Sequence, residues 1–207
     1  MARKPRIHAP GGIYHVMLRG NGGQSIFGGR DDHRYFCLLL NENVFRYNCR
    51  IHGFCLMTNH VHLIIQVGET SLSKIMQNLA FRYTMWVNKK GKRFGHLFQG
   101  RYKAILVDID KYLIGLVRYV HLNPVRSGLV KDPADYYWSG HRAYIGDDSI
   151  PWLTTDFVLS FFGKRLKNCQ KNMVNLFYRL CKQGIMICFM VMIKIREFWE
   201  TTVLSNK

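Results

Sequence analysis

Acidic residues are scarce in this chain of 207 residues. Asp and Glu together number 13 against 30 Lys and Arg, which gives a net charge of +17 at pH 7 and a pI near 9.9. Balanced charge would be enough to keep a domain in solution, so an excess of this size favours a polyanionic partner. Nucleic acid is the first partner that the charge predicts.

The chain also lacks the spacings of a zinc finger and the apolar length of a membrane span. Its six cysteines include no C-x-x-C pair and no secretory leader precedes them, so we expect reduced thiols and a cytoplasmic protein. The longest apolar run, residues 185–193, is far below the roughly 20 residues that cross a bilayer. We therefore expect no membrane partner.

Hydrophobic residues make up 48% of the chain and aromatic residues 14%, which is ample for a packed core. The length suits one compact domain with an extension. We place the domain at residues 1–150 and the extension at 151–207, because Pro151 and Trp152 mark a boundary. Residues 164–207 show no clean periodicity, and the sequence predicts no fold for them.

Alternating and helical apolar patterns predict an α+β fold. Strands are predicted over residues 12–19, 49–57, 60–67 and 102–107, and helices over 31–47, 71–88 and 108–122. Without the last helix the order is β-α-β-β-α-β, which is typical of a ferredoxin-like antiparallel sheet with helices on one face. The opposite face of the sheet is then available for a functional site.

Two histidines separated by one residue lie in the third predicted strand. Successive side chains on a strand point to opposite faces, so His60 and His62 project together while Val61 faces the other way. A nucleotidyl-transferring histidine triad would need a third histidine where Ile64 stands, and a His-x-His-x-Asp-His hydrolase would need an acid there. Two imidazoles and one further oxygen ligand could hold a divalent cation with open positions for phosphate oxygens.

Tyr119 lies on the third predicted helix, four residues before Asn123. Residues four apart share a helix face, so a phenol and an amide oxygen would approach the same metal, although Pro124 disfavours helical geometry at Asn123. Attack of Tyr119 on phosphorus would give a 5′-phosphotyrosine and a free 3′-OH. Tyr83, on the second helix, is an alternative nucleophile, and we interpret His121 as a structural residue.

Basic residues interleaved with aromatic ones predict a channel for single-stranded nucleic acid, in which cations contact the backbone and rings stack on bases. The candidates lie in the N-terminal arm, at the end of the first strand and around the loop before the fourth. They are Arg3, Lys4, Arg6, Arg19, Lys92, Arg93, Phe98, Arg101 and Lys103.

Five segments between residues 1 and 145 occur in the order of a known family: RKPRI, YHVMLRGN, CLMTNHVHLII, GHLFQGRYK and RYVHLNPVRSGLV. Together they resemble the REP-associated tyrosine transposases of the single-tyrosine HUH superfamily. The resemblance implies a ferredoxin-like core, a Mg²⁺ or Mn²⁺ cofactor, and cleavage and rejoining of single-stranded DNA beside hairpins or palindromic repeats. By motif position it implies Tyr119 as the nucleophile and His60, His62 and Asn123 as metal ligands, in a protein that acts as a monomer or a homodimer.

Two rival functions keep the fold without the reaction. One is a module that binds structured single-stranded DNA and does not cut it. The other is an RNA-binding protein whose sheet aromatics stack on bases, which would need no metal.

Overall fold

One antiparallel sheet organises the chain, with its strands in the order β2-β3-β1-β4. The structure is a computed structural model that describes residues 8–92, 94–163 and 166–182, with the backbone alone for Leu166 and residues 176–182. The strands are β1 (Ile13–Arg19), β2 (Arg50–Met57), β3 (His60–Gln66) and β4 (Lys103–Leu106). This order is the ferredoxin-like one, and the predicted fold class is confirmed.

The described residues form seven α-helices, the first three of which begin and end within two residues of the predicted positions and the other four of which were not predicted. They are α1 (Arg30–Tyr47), α2 (Leu72–Lys90), α3 (Ile109–His121), α4 (Asn123–Arg126), α5 (His141–Ile145), α6 (Asp156–Leu159) and α7 (Leu166–Lys182). Side-chain caps set two of the starts, because Ser71 and Asp108 each accept a hydrogen bond from a backbone N–H in the first turn that follows. No helix in the described part of the chain is both long and apolar enough to span a bilayer.

The pairing of β1 with β3 decides which side chains share a face. Arg19 lies opposite His60 and Met17 opposite His62, so these side chains and that of His15 belong to one face of the sheet. The alternate residues Val16 and Val61 are fully buried on the other face. The sheet therefore has one apolar face and one that carries histidines and a cation.

Helices α1 and α2 pack against each other, and their aromatic residues extend the core. Tyr83 of α2 meets Phe36 of α1 edge to face, with the ring centroids 4.9 Å apart. Helix α3 packs instead against β2 and β3, and it brings Tyr119 to the histidine face. The core thus fixes the sheet, and α3 covers part of the face that was predicted to hold a site.

Helix α3 ends one residue earlier than predicted. Its last residue is His121, and a short α4 begins at Asn123 with Pro124 in its first turn. Proline is tolerated there because the first N–H groups of a helix have no partner within the helix. Asn123 therefore lies at the junction of two helices.

Segments after α4 attach to the edge strand β2. Phe54 and Ile51 accept backbone hydrogen bonds from Gly140 and Thr154, at 3.0 and 2.8 Å. Behind them lies buried His121, with its ring 5.6 Å from that of His141, in the structural position expected for it. The division of the chain at residue 150 stays a prediction, and residues 183–207 lie outside the described part.

Four cysteines have described side chains. Those at positions 37, 49, 55 and 169 are free.

Candidate metal and tyrosine site

His60 and His62 project from β3 on the same face of the sheet. Their ring centroids are 5.0 Å apart and the ring planes are nearly perpendicular, at 89°. His62 is buried, whereas His60 is partly exposed. The strand geometry that the His-x-His spacing predicts is thus present.

His15 is the neighbour of His62 that sequence reasoning missed. It projects from β1, and its Nε2 lies 3.0 Å from Nδ1 of His62, within hydrogen-bonding distance. The two rings stack with centroids 5.2 Å apart, and His15 is 1% exposed. Sequence reasoning noted His15 only as part of the segment YHVMLRGN. The contact with His62 joins residues 47 positions apart, and no local spacing indicates it.

Asn59 contacts His60, the other histidine of the His-x-His motif. Its Oδ1 lies 2.7 Å from Nδ1 of His60, and its own amide nitrogen donates to the carbonyl of Gly23 at 3.3 Å. The Gly23 carbonyl thereby fixes which end of the Asn59 amide faces the imidazole.

Burial favours the neutral form of the site histidines. Desolvation lowers the pKa of His62 well below its ordinary value, and the neighbouring His15, His60 and Arg126 lower it further. Desolvation and then Arg19 lower the pKa of His60. Neutral imidazoles carry the lone pair that a metal ligand requires.

Tyr119 reaches this pair of histidines from α3. Its half-buried ring meets those of His62 and His15 edge to face, with centroids 5.5 and 5.9 Å away. A tyrosine more than 50 positions away in sequence is therefore brought against the His-x-His motif.

The side chain of Asn123 forms hydrogen bonds with the last turn of α3, the helix that carries Tyr119. Its amide nitrogen donates to the carbonyl of Tyr119 at 2.8 Å and approaches that of Val120 at 3.5 Å. These bonds engage the nitrogen and leave the amide oxygen as the end of the side chain that can serve as a ligand.

The donor set at this site fits a hard or borderline divalent cation. Nδ1 of each histidine is engaged, so Nε2 is the ring nitrogen that would ligate a metal, and Asn123 would add an oxygen donor. Among the described residues no three His, Cys, Asp or Glu side chains form a metal cluster. The candidate set, with two imidazoles and an amide, would leave open positions for a substrate.

Cations surround the candidate site. The guanidinium of Arg126, on α4, lies 5.2 Å from the centroid of the Tyr119 ring. Arg19 is opposite His60 and Lys103 is opposite Met17, on the same sheet face. Arg126 was not among the predicted site residues, although it stands within the segment that contains Tyr119 and Asn123.

The alternative nucleophile Tyr83 lies in the core. It is fully buried, and its hydroxyl donates a 2.8 Å hydrogen bond to the carbonyl of Ile26. Burial also raises the pKa of its phenol, which disfavours the phenolate. The structure contradicts a nucleophilic role for Tyr83.

A family model decides which class of proteins this chain resembles. The model described as "Transposase IS200 like" matches residues 10–123, more than half of the chain. The chain belongs to the IS200-like transposase family. The match includes the His-x-His strand, Tyr119 and Asn123, so the resemblance stated from the sequence motifs is confirmed.

Three solved structures are similar to this transposase to different degrees. A REP-associated tyrosine transposase bound to a REP hairpin is similar with a TM-score of 0.61 and 15% identity, over 74% of this chain and 98% of the other. A Deinococcus radiodurans protein described as a transposase gives a TM-score of 0.39 and 14% identity, over 56% and 94%. The Saccharomyces cerevisiae tRNA(His) guanylyltransferase gives 0.41 and 10%, over 82% and 80%. Of these three, the first shows a shared fold. No curated protein matched the chain.

The predicted DNA contacts of this transposase fall into three groups. Arg19 and Lys103 lie on the site face, and Lys92 and Arg101 are exposed in the loop between α2 and β4. Arg3, Lys4, Arg6 and Arg93 lie outside the described residues.

The structure corrects the prediction for Phe98. It was predicted to stack on bases, but its ring is 7% exposed and faces Tyr83. Its backbone forms a bridge with Gly20, and this pairing turns the ring inward. Phe94, four residues earlier, is the fully exposed ring of this loop.

Proposed function

We propose that this transposase cleaves and rejoins single-stranded DNA through a 5′-phosphotyrosine on Tyr119. The observation that carries the proposal is the contact of the Tyr119 ring with His62 of the His-x-His motif. A phenol at that position would share a substrate phosphate with whatever the two histidines bind.

His60, His62 and Asn123 are the residues that would hold Mg²⁺ or Mn²⁺. Such an ion, when bound, supplies positive charge that polarises the phosphoryl oxygens. The chain's own contribution is the fixed position of the two neutral imidazoles and of the helix end, where Asn123 is tied to the Tyr119 carbonyl.

Tyr119 performs the covalent step in this proposal. Its oxygen attacks phosphorus and loses its proton to solvent, a bond from this oxygen to phosphorus forms, and the bond from phosphorus to the 3′ oxygen breaks. The released 3′ oxygen takes a proton from solvent and becomes a 3′-OH. Arg126 beside the ring favours the phenolate form during attack. Because the phosphodiester is exchanged for a phosphotyrosine ester, the 3′-OH of another strand can reverse the reaction and complete strand transfer.

The substrate we propose is a single strand beside a DNA hairpin. A net charge of +17 supports binding to a phosphate backbone, and Arg19, Lys92, Arg101 and Lys103 are candidate contacts that extend from the site to the exposed loop. The structurally similar REP-associated enzyme was solved with a REP hairpin, which supports the choice of probe.

The test is a gel assay for covalent protein–DNA species, with a labelled hairpin that carries a single-stranded flank and with Mn²⁺ present. Wild type should give a slow-migrating species that survives denaturation, and Tyr119→Phe should give none. Tyr112→Phe is the matched control, because Tyr112 lies two turns earlier on the same helix, and it should keep the species.

The same assay separates the rival functions. A protein that only binds DNA gives no covalent species although it shifts the hairpin in a native gel. An RNA-binding protein gives binding that persists in EDTA and that His60→Ala and His62→Ala leave unchanged. Either result would overturn the proposal.

A further inference from the structure

Each histidine of the His-x-His pair has a hydrogen-bonding partner at the same ring nitrogen. Nδ1 of His62 faces Nε2 of His15, and Nδ1 of His60 faces Oδ1 of Asn59. The partners come from different elements, since His15 is on β1 and Asn59 lies in the turn between β2 and β3. Two contacts from different parts of the fold therefore engage the same ring atom, Nδ1, in His60 and in His62.

The Asn59 contact has one direction. An amide oxygen can only accept, so His60 must carry its proton on Nδ1 and donate it. The amide is held in this orientation because its nitrogen donates to the Gly23 carbonyl. A neutral His60 then carries its lone pair on Nε2.

The contact between His15 and His62 allows two directions. If His15 donates from Nε2, His62 bears its proton on Nε2 and cannot ligate through that atom. If His62 donates from Nδ1, the lone pair of His62 lies on Nε2, as it does in His60. Only the second direction gives both strand histidines the same ligating atom.

We infer that His15 and Asn59 are positioning residues that hold His62 and His60 as Nδ1–H tautomers, so that both Nε2 atoms are presented to one divalent cation. The inference rests on the proposed function, and it adds two residues that are not themselves ligands. His15 acts as the acceptor for His62 in the way that Asn59 acts for His60.

The surroundings of His15 argue against a purely structural role. Its ring is 1% exposed, and its Nδ1 has no hydrogen-bond partner in the described part of the chain. An unpartnered buried nitrogen lowers the free energy of unfolding, so an apolar residue of similar size would suit packing better at this position. The hydrogen bond to His62 uses the other nitrogen of the imidazole, Nε2.

The experiment is a titration of Mn²⁺ alone onto the full chain at pH 7.5 without DNA, followed by calorimetry or by the loss of the free-ion resonance. The variants are His15→Leu, which removes the acceptor, and His15→Gln, which returns one. Asn59→Ala and Asn59→Asp form the corresponding pair for His60. His52→Leu is the control, because this buried histidine bonds Gln66 and the Thr154 carbonyl, near the other end of the strands.

His15→Leu and Asn59→Ala should each weaken Mn²⁺ binding by about 10- to 100-fold. His15→Gln and Asn59→Asp should recover most of the affinity, and His52→Leu should keep that of wild type. In EDTA the melting temperature of His15→Leu should equal or exceed that of wild type, which a merely structural histidine would not allow.

The inference is overturned if wild type binds no Mn²⁺, if His15→Leu binds as tightly as wild type, or if the glutamine variant recovers nothing. These results are distinct from failure of the proposed function, which the covalent assay measures. A Tyr119 adduct in the wild type together with an unaffected His15→Leu affinity would reject the inference and leave the function standing.

Discussion

Tyr119 lies edge-on to His62 of its own chain, with the ring centroids 5.5 Å apart. The nucleophile and the ligand pair of the proposed site are therefore assembled within one molecule. A site that needed an exchanged helix from a second copy would have these groups apart in the single chain.

Cleavage by a single chain is the first prediction. An equimolar mixture of Tyr119→Phe and His62→Ala should form no covalent adduct, because each molecule lacks one half of its own site. The adduct gel measures this directly, with the two variants assayed alone as controls. An adduct that appears only on mixing would show that tyrosine helices are exchanged between copies.

Arg126 should act on the rate of the covalent step. Its guanidinium is 5.2 Å from the Tyr119 ring centroid, so Arg126→Ala should slow adduct formation at saturating DNA by about 100-fold. The exposed Arg101 is the comparison, since Arg101→Ala should weaken binding and its salt dependence while the rate at saturation stays the same. Single-turnover kinetics over a DNA titration separate the two effects. Equal rates for Arg126→Ala and wild type would contradict this role.

Gly20 should be intolerant of any side chain. A Cβ at this position would lie 2.0 Å from the backbone oxygen of Gln24, and Gly20 also pairs with Phe98 at the end of β1. We expect Gly20→Ala to lower the free energy of unfolding by about 2 kcal/mol, the scale of an overpacked core site. Gly29→Ala is the control, because a Cβ there meets nothing within 4 Å. Equal urea midpoints for the two variants would contradict the prediction.

Acid should destabilise this protein through its buried histidines. Burial lowers the pKa of His141 to about 4, although Asp132 and Asp147 act in the opposite direction. Below about pH 6.5 the unfolded chain binds a proton there that the folded chain does not, so stability falls from pH 6.5 towards 4.

The His141 contribution to that slope is about 1.4 kcal/mol per pH unit inside this window. Urea unfolding between pH 4.5 and 7.5 should show a shallower dependence for His141→Gln than for wild type. The exposed His96→Gln variant should keep the wild-type slope. An unchanged slope in His141→Gln would show that His141 does not carry the effect.

The sheet and the His-x-His geometry were predictable because they depend on local periodicity. A period of two places His60 and His62 on one face whatever surrounds them, and the order of apolar segments is enough to indicate a ferredoxin-like arrangement. The helix that bears Tyr119 was predicted to within a residue or two at each end. Helix ends of this kind follow from local signals such as the Asp108 cap and Pro124.

The site contacts that sequence reasoning missed or misplaced depend on how distant segments of the chain pair. The contact of His15 with His62 follows from the register of β1 against β3, in which Met17 lies opposite His62, and no local spacing encodes that register. Phe98 was misplaced for the same reason, because basic and aromatic alternation does not show which rings turn inward. Arg126 needed the helix junction at Asn123 to bring it back over Tyr119.

The most direct test of the central claim is mass spectrometric mapping of the covalent protein–DNA species after nuclease and protease digestion. The account predicts a single modified peptide that contains Tyr119, with a 5′-linked nucleotide on the phenolic oxygen and a free 3′-OH on the released strand. A nucleotide on any other residue, or cleaved DNA without a covalent peptide, would contradict it.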